Sequence, residues 1–96
     1  MQNNTTTPEI TPTLEEIVAQ VIGEASDITA YKIATYVNTV FVITNTDKII
    51  PTQMMYNYTR NGLIAKGKKG KASDIRYTKD EVITFVTKYT KKYIAE

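Results

Sequence analysis

From residue 13 onward the apolar positions fall on helical periods. Leu14, Ile17, Val18, Val21, Ile22 and Ala25 stand at offsets 0, 3, 4, 7, 8 and 11, which is one stripe of a helix. Thr13 followed by Glu16 is a capping box, in which each side chain satisfies the other residue's free backbone N–H. A helix is predicted over 13–25. After a break at Ser26-Asp27, Thr29 can cap a second helix, with Ile28 and Ile33 placed as a hydrophobic staple. Its apolar face is Ala30, Ile33, Ala34, Val37, Val40 and Phe41, and it is predicted to run to 43. The β-prone run Val40–Ile43 before the turn-like Thr44–Asp47 leaves a short hairpin around Asn45 as the alternative.

Pro51 suits the first position of a third, short helix over 51–60, because the N–H it lacks has no partner there. Met55, Tyr58 and Leu63 are expected to pack inward with Met54 at the edge, while Thr52, Gln53, Tyr56, Asn57 and Arg60 face out. Gly62 stops this helix. Two strand-like runs, Leu63–Lys66 and Asp74–Tyr77, flank a glycine–lysine tip and predict a β-hairpin. Thr78 and Glu81 form a second capping box, and Val82, Phe85, Val86, Tyr89 and Tyr93 form the stripe of a fourth helix over 78–95. Residues 1–12 are polar, rich in Thr and Asn, and carry Pro8 and Pro12; they predict a disordered arm before a single domain at 13–96.

Ninety-six residues with 42% hydrophobic composition make one modest core. Cysteine and histidine are both absent. Their absence excludes disulfides and thiolate metal sites and removes the usual general base. No enzyme activity, metal or cofactor is expected. The start has neither a basic region nor an apolar run typical of a signal peptide, and no stretch approaches the length of a membrane span; a cytoplasmic protein is expected.

Charge changes the picture more. Residues 1–50 carry six acids against two bases, and residues 51–96 carry ten bases against four acids. Six of the twelve basic side chains lie in residues 60–78: Arg60, Lys66, Lys68, Lys69, Lys71 and Arg76. Such a basic half suggests a polyanion. Gly62-x4-Gly67-Lys68-Lys69 falls short of a phosphate-binding loop, because Lys69 stands where a hydroxyl must hold magnesium and no strand precedes it. Single-strand or RNA binding would want exposed aromatics on a sheet or groove, and the expected hairpin has only Tyr77.

A basic hairpin after a short helix is instead the layout of a winged helix-turn-helix. There the second helix of the pair enters the major groove. Gln and Asn suit adenine edges and Arg suits guanine, while lysines on a tip suit phosphates. Met55-x-x-Tyr58-x-Arg60-x-Gly62-Leu63-Ile64 resembles the end of the recognition helix and the first wing strand in MerR-type regulators and phage excisionases. The resemblance covers roughly residues 28–90, with about ten specific positions, and implies that Ile28–Val37 holds the first helix of the motif. The chain departs from the MerR pattern at Tyr56 and Asn57, where an Arg and a second aromatic usually stand. The link between its second and third helices is longer, its first helix is additional, and the coiled coil and ligand domain of MerR regulators are missing. The nearer likeness is to stand-alone excisionase-like proteins of mobile elements.

The expected fold is therefore mainly α with a small β-hairpin, a winged helix-turn-helix. The expected function is duplex-DNA binding by a plasmid or phage regulator, recombination-directionality factor or DNA-processing accessory protein. Thr52, Gln53, Tyr56, Asn57 and Arg60 would read bases, and Lys66, Lys68, Lys69, Lys71 and Arg76 would hold phosphates. Homodimers or tandem copies are expected, since one such domain covers little DNA, with the additional first helix as the dimer element. No membrane or small-molecule partner is expected. The alternative is a protein-interaction module whose basic hairpin meets an acidic partner.

Overall fold

The computed structural model describes residues 12–94, so the arm expected at 1–12 lies, apart from Pro12, outside the described residues. Four helices follow one another: α1 (Leu14–Ile22), α2 (Ala30–Ile43), α3 (Thr52–Arg60) and α4 (Lys79–Lys91). Among the described residues no helix is long and apolar enough to cross a membrane. The capping boxes of α1 and α4 are both formed, and Thr29 caps α2 by accepting from the Lys32 N–H.

Helix α2 is the centre of the molecule. It packs against each of the other three helices, while α1 also packs on α4. All six positions of its predicted stripe are buried. They join Val18 and Ile22 of α1, Met55 of α3, and Val82, Val86 and Tyr89 of α4 in one core. Helix α1 is shorter than predicted: Gly23, whose N–H returns to Ala19 O at 2.9 Å, ends it. Only Val18 and Ile22 of its stripe are buried, and Leu14, Ile17, Val21 and Ala25 stay partly exposed, because α1 lies at the edge of the core.

Helices α2 and α3 end in the same way. In α2 the Thr46 N–H reaches Phe41 O at 2.8 Å and the Asn45 N–H reaches Val42 O at 3.1 Å. In α3 the Leu63 N–H reaches Tyr58 O at 2.9 Å and the Gly62 N–H reaches Thr59 O at 3.1 Å. Both are Schellman turns, with Asn45 (φ 60°) and Gly62 (φ 70°) in the left-handed region. Asn45 thus closes a helix and is not the tip of a hairpin. Leu63, predicted to pack inward, is 60% exposed; it follows the turn residue and lines an open groove with Tyr58. Pro51 precedes α3 as its N-cap, one position earlier than predicted, with no side-chain cap bond.

The predicted β-hairpin is not formed. No β-strand occurs among the described residues, which hold two isolated antiparallel bridges, Ala65 with Lys68 and Ile28 with Tyr77. The first closes a tight turn at Lys66-Gly67, where Gly67 has φ 83°. A positive φ at Gly67 suits a two-residue turn, but the pairing goes no further than this one bridge among the described residues. The return run is drawn elsewhere: Tyr77 exchanges two 2.9 Å backbone bonds with Ile28, just ahead of α2. Residues 61–78 are therefore an irregular loop anchored at its far end to the start of the α2 segment.

Candidate nucleic-acid interface

A side chain of α2 fixes the entry to helix α3. Asn38 Nδ2 donates to Ile50 O at 3.0 Å, and the Ile50 N–H donates to Asn38 Oδ1 at 2.8 Å. The side-chain amide stands in for a neighbouring backbone and fixes the chain two residues before α3 begins. Residues 44–51 can then be longer than an ordinary helix-turn-helix connection without losing hold of α3. Inward, α3 buries Met55 and Thr59. Outward, Gln53, Asn57 and Arg60 are exposed, at a spacing that places them along one face. Gln53 Nε2 donates to Asn57 Oδ1 at 3.2 Å, which pre-orients both amides. Thr52 and Tyr56 are half-buried at the sides of this row.

The loop docks on the C-terminal end of α3. The Gly70 N–H bonds Thr59 O at 3.2 Å. The stem of Lys69 lies over Gly62, where a Cβ would come within 3.3 Å of Lys69 Cβ. Lys69 and Lys71 are exposed on the stretch that docks at the end of α3. A buried bond from the Tyr77 hydroxyl to Thr59 Oγ1, 3.1 Å, ties the other end of the loop to the same residue of α3. Burial of the ring pushes the Tyr77 phenol above its ordinary pKa, so it stays a neutral donor.

Lys68 has a different place from its neighbours. Its Nζ sits 2.8 Å from Glu81 Oε1 and 2.8 Å from Arg76 O, and 5.6 Å from the centre of the Tyr77 ring. The hydrogen bond from Lys68, together with the Thr78 N–H at the N-cap of α4, holds the Glu81 carboxyl below the ordinary glutamate range. This is the one ion pair among the described residues, and it pins the loop to α4. Lys68 is therefore committed to the fold. Lys66 lies apart as well, lining a groove with Asp80 and Glu81 on the α4 side.

Arg76 goes to a third place. It donates to Ser73 O at 3.0 Å and Ile75 O at 2.9 Å, which braces its guanidinium against the loop. With Ser73 it forms one wall of a groove of about 370 Å³, whose other wall is Tyr56 of α3 and Thr29 to Tyr31 at the start of α2. The structure thus brings Tyr56 and Arg76 together and adds Tyr31, 57% exposed, and Ser73, which were not among the predicted site residues. Tyr31 lies off the apolar stripe of α2, and that position alone marked it as an outward ring. All ten predicted residues lie on α3 or the loop, but they do not share one surface: Gln53, Asn57 and Arg60 form the exposed row of α3, Lys69 and Lys71 are exposed on the stretch docked at its end, Tyr56 and Arg76 share a groove, Thr52 is half-buried, and Lys66 and Lys68 lie on the α4 side.

Comparison of this chain with protein-family models, curated protein sequences and solved structures gives no match.

Proposed function

We propose that this chain is a small duplex-DNA-binding protein of the winged helix-turn-helix type, with the loop 61–78 in the place of a wing. The observation that carries this reading is the row Gln53, Asn57 and Arg60 on a helix with no acidic residue, beside a loop that presents Lys69 and Lys71 at the end of that helix. Helix α3 would enter the major groove, with the two amides reading adenine edges and Arg60 reading guanine or phosphate. The N–H groups at its start, free of a side-chain cap, suit a phosphate oxygen. Arg76, Tyr31 and Tyr56 would receive the neighbouring backbone. A regulatory or recombination-accessory role on a mobile element is the setting this proposal favours, and no catalytic step is part of it.

The test is a fluorescence-anisotropy titration of the chain against duplex DNA at several salt concentrations. Four exposed cations of α3 and the loop with no acidic partner among the described residues, Arg60, Lys69, Lys71 and Arg76, would give a log–log slope of roughly −3.6, at about 0.9 per neutralised phosphate. No binding at low salt would end the reading.

A second reading keeps one specific support. Tyr58, Leu63 and Phe85 line a groove rimmed by Lys88 and Lys92, of about 260 Å³. An apolar floor with a cationic rim suits an acidic peptide carrying an apolar anchor. Failure of DNA binding would turn attention to that groove.

A further inference from the structure

Past Lys32 the exposed side of α2 carries no charge. Residues 33–46 carry no charged side chain, although Thr35, Val42 and Ile43 of that stretch are exposed. Val42 is 77% and Ile43 54% exposed. A solvated helix face ordinarily carries charge, as α4 does with Lys88 and Lys91.

The polar groups on this face are already satisfied. Thr39 Oγ1 donates to Thr35 O at 2.8 Å, and Thr35 Oγ1 donates to Tyr31 O at 3.3 Å. Both threonines spend their hydroxyl protons on the helix backbone and can turn their methyl groups outward. Covering them strands no donor, so the usual cost of burying polar atoms is small here. The face continues onto α1. Ile17, Val21, Tyr36, Thr39 and Ile43 line one groove between α1 and α2, of about 590 Å³, with no charged residue in its walls.

We propose that this α1–α2 face is a homodimer interface, occupied by the same face of a second copy. An uncharged partner surface is what the face can accept without stranding a charge, and its own copy is such a surface. In a two-fold pair the patch meets itself, and the groove walls that meet carry no charged side chain. Two short helices make a contact at the small end of stable interfaces, so dimerisation is concentration-dependent. The pairing stands whether or not the chain binds DNA. If it does, the α3 faces of both copies remain uncovered.

Sedimentation equilibrium of the full chain tests this over a wide concentration range, alongside Val42→Glu and Thr39→Arg. The wild type is expected to approach twice its 10.8 kDa mass. Val42→Glu is expected to raise the dimer dissociation constant at least tenfold, with an unchanged thermal melt at concentrations where both chains are monomeric, because Val42 is exposed in the single chain. Thr39→Arg gives an independent second disruption. A wild type that stays monomeric at its highest soluble concentration overturns the proposal. A dimer that both variants leave intact overturns it too. A monomer that dimerises only after removal of residues 1–10 would assign the groove to the chain's own N-terminal segment and equally overturn pairing through it.

Discussion

Residues 44–51 and residues 61–78 both leave a helix through a Schellman turn, Asn45 serving the first and Gly62 the second. Beyond the turn they are held by different means. The first is held at its far end by the Asn38 amide on Ile50, whose side chain is buried in the core, and midway by Lys48 over the Tyr93 ring at 4.4 Å. The second is tied along its length: at Gly70 to Thr59, at Lys68 to Glu81, and at Tyr77 to both Thr59 and Ile28. The first loop has one task, to deliver α3 at a set height on α2. The second must keep its backbone in place while several of its own side chains stay available to solvent. Bonds made by backbone atoms and by a few dedicated side chains achieve this, and leave Lys69 and Lys71 outside the network.

The largest expected effect comes from breaking the richer network. Tyr77 is 1% exposed, and its ring fills the space between α3, α4 and the α2 entry. Tyr77→Ala should cost about 3–5 kcal/mol, as for other buried aromatic truncations, read by urea denaturation. Tyr77→Phe removes only the bond to Thr59 and should cost about 1 kcal/mol. Equal losses for the two would mean that the hydroxyl, not the ring, holds the loop.

Next is the amide clamp of the first loop. Asn38→Ala strands both the N–H and the C=O of Ile50, which is itself buried. The expected cost is about 2 kcal/mol. It should come with faster amide exchange at the start of α3 and little change in residues 61–78. Exchange that rose equally in both loops would show that they are one cooperative unit.

The third prediction concerns the DNA reading and separates lysines that look alike in the sequence. Lys69→Ala with Lys71→Ala should leave the melt nearly unchanged, weaken binding to every duplex and flatten the salt slope by about 1.8, two phosphates' worth. Asn57→Ala should instead blur preference among sequences, at about 1–3 kcal/mol for its preferred site. If Asn57→Ala weakens all duplexes alike, helix α3 is not the reader.

That separation was not legible in the sequence. The run from Lys66 to Lys71 reads as one patch, because charge is visible in a sequence and its partner thirteen residues on is not. Periodicity carried the helices well. Two capping boxes and the six buried positions of α2 were written in short-range spacing, which local physics decides. The hairpin was misread for a non-local reason: Tyr77 prefers Ile28, 49 positions earlier, to the opposing run, and no local pattern encodes that pairing. Thr59 shows the same limit. Its burial depends on a partner hydroxyl from Tyr77 and on Gly70 arriving from a distant turn.

The smallest expected effect is at Lys68 itself, and it distinguishes a strut from a ligand contact. Lys68 and Glu81 are each about one-third exposed, at 32% and 30%, so solvent screens the pair and Lys68→Ala should cost at most about 1 kcal/mol. Its effect on DNA affinity should be smaller than that of Lys69→Ala, since its charge is already neutralised by Glu81. The pH dependence has a definite sign. Glu81 titrates below its ordinary range when folded, so its contribution is complete above the unfolded value, near 4, and is lost as pH falls through the lower folded value. Wild type and Lys68→Ala should therefore differ most in melting temperature at neutral pH and converge in acid. A gap that stayed constant through that acid range would mean that Lys68 acts through its place beside the Tyr77 ring and its bond to Arg76 O, and not through its charge on Glu81.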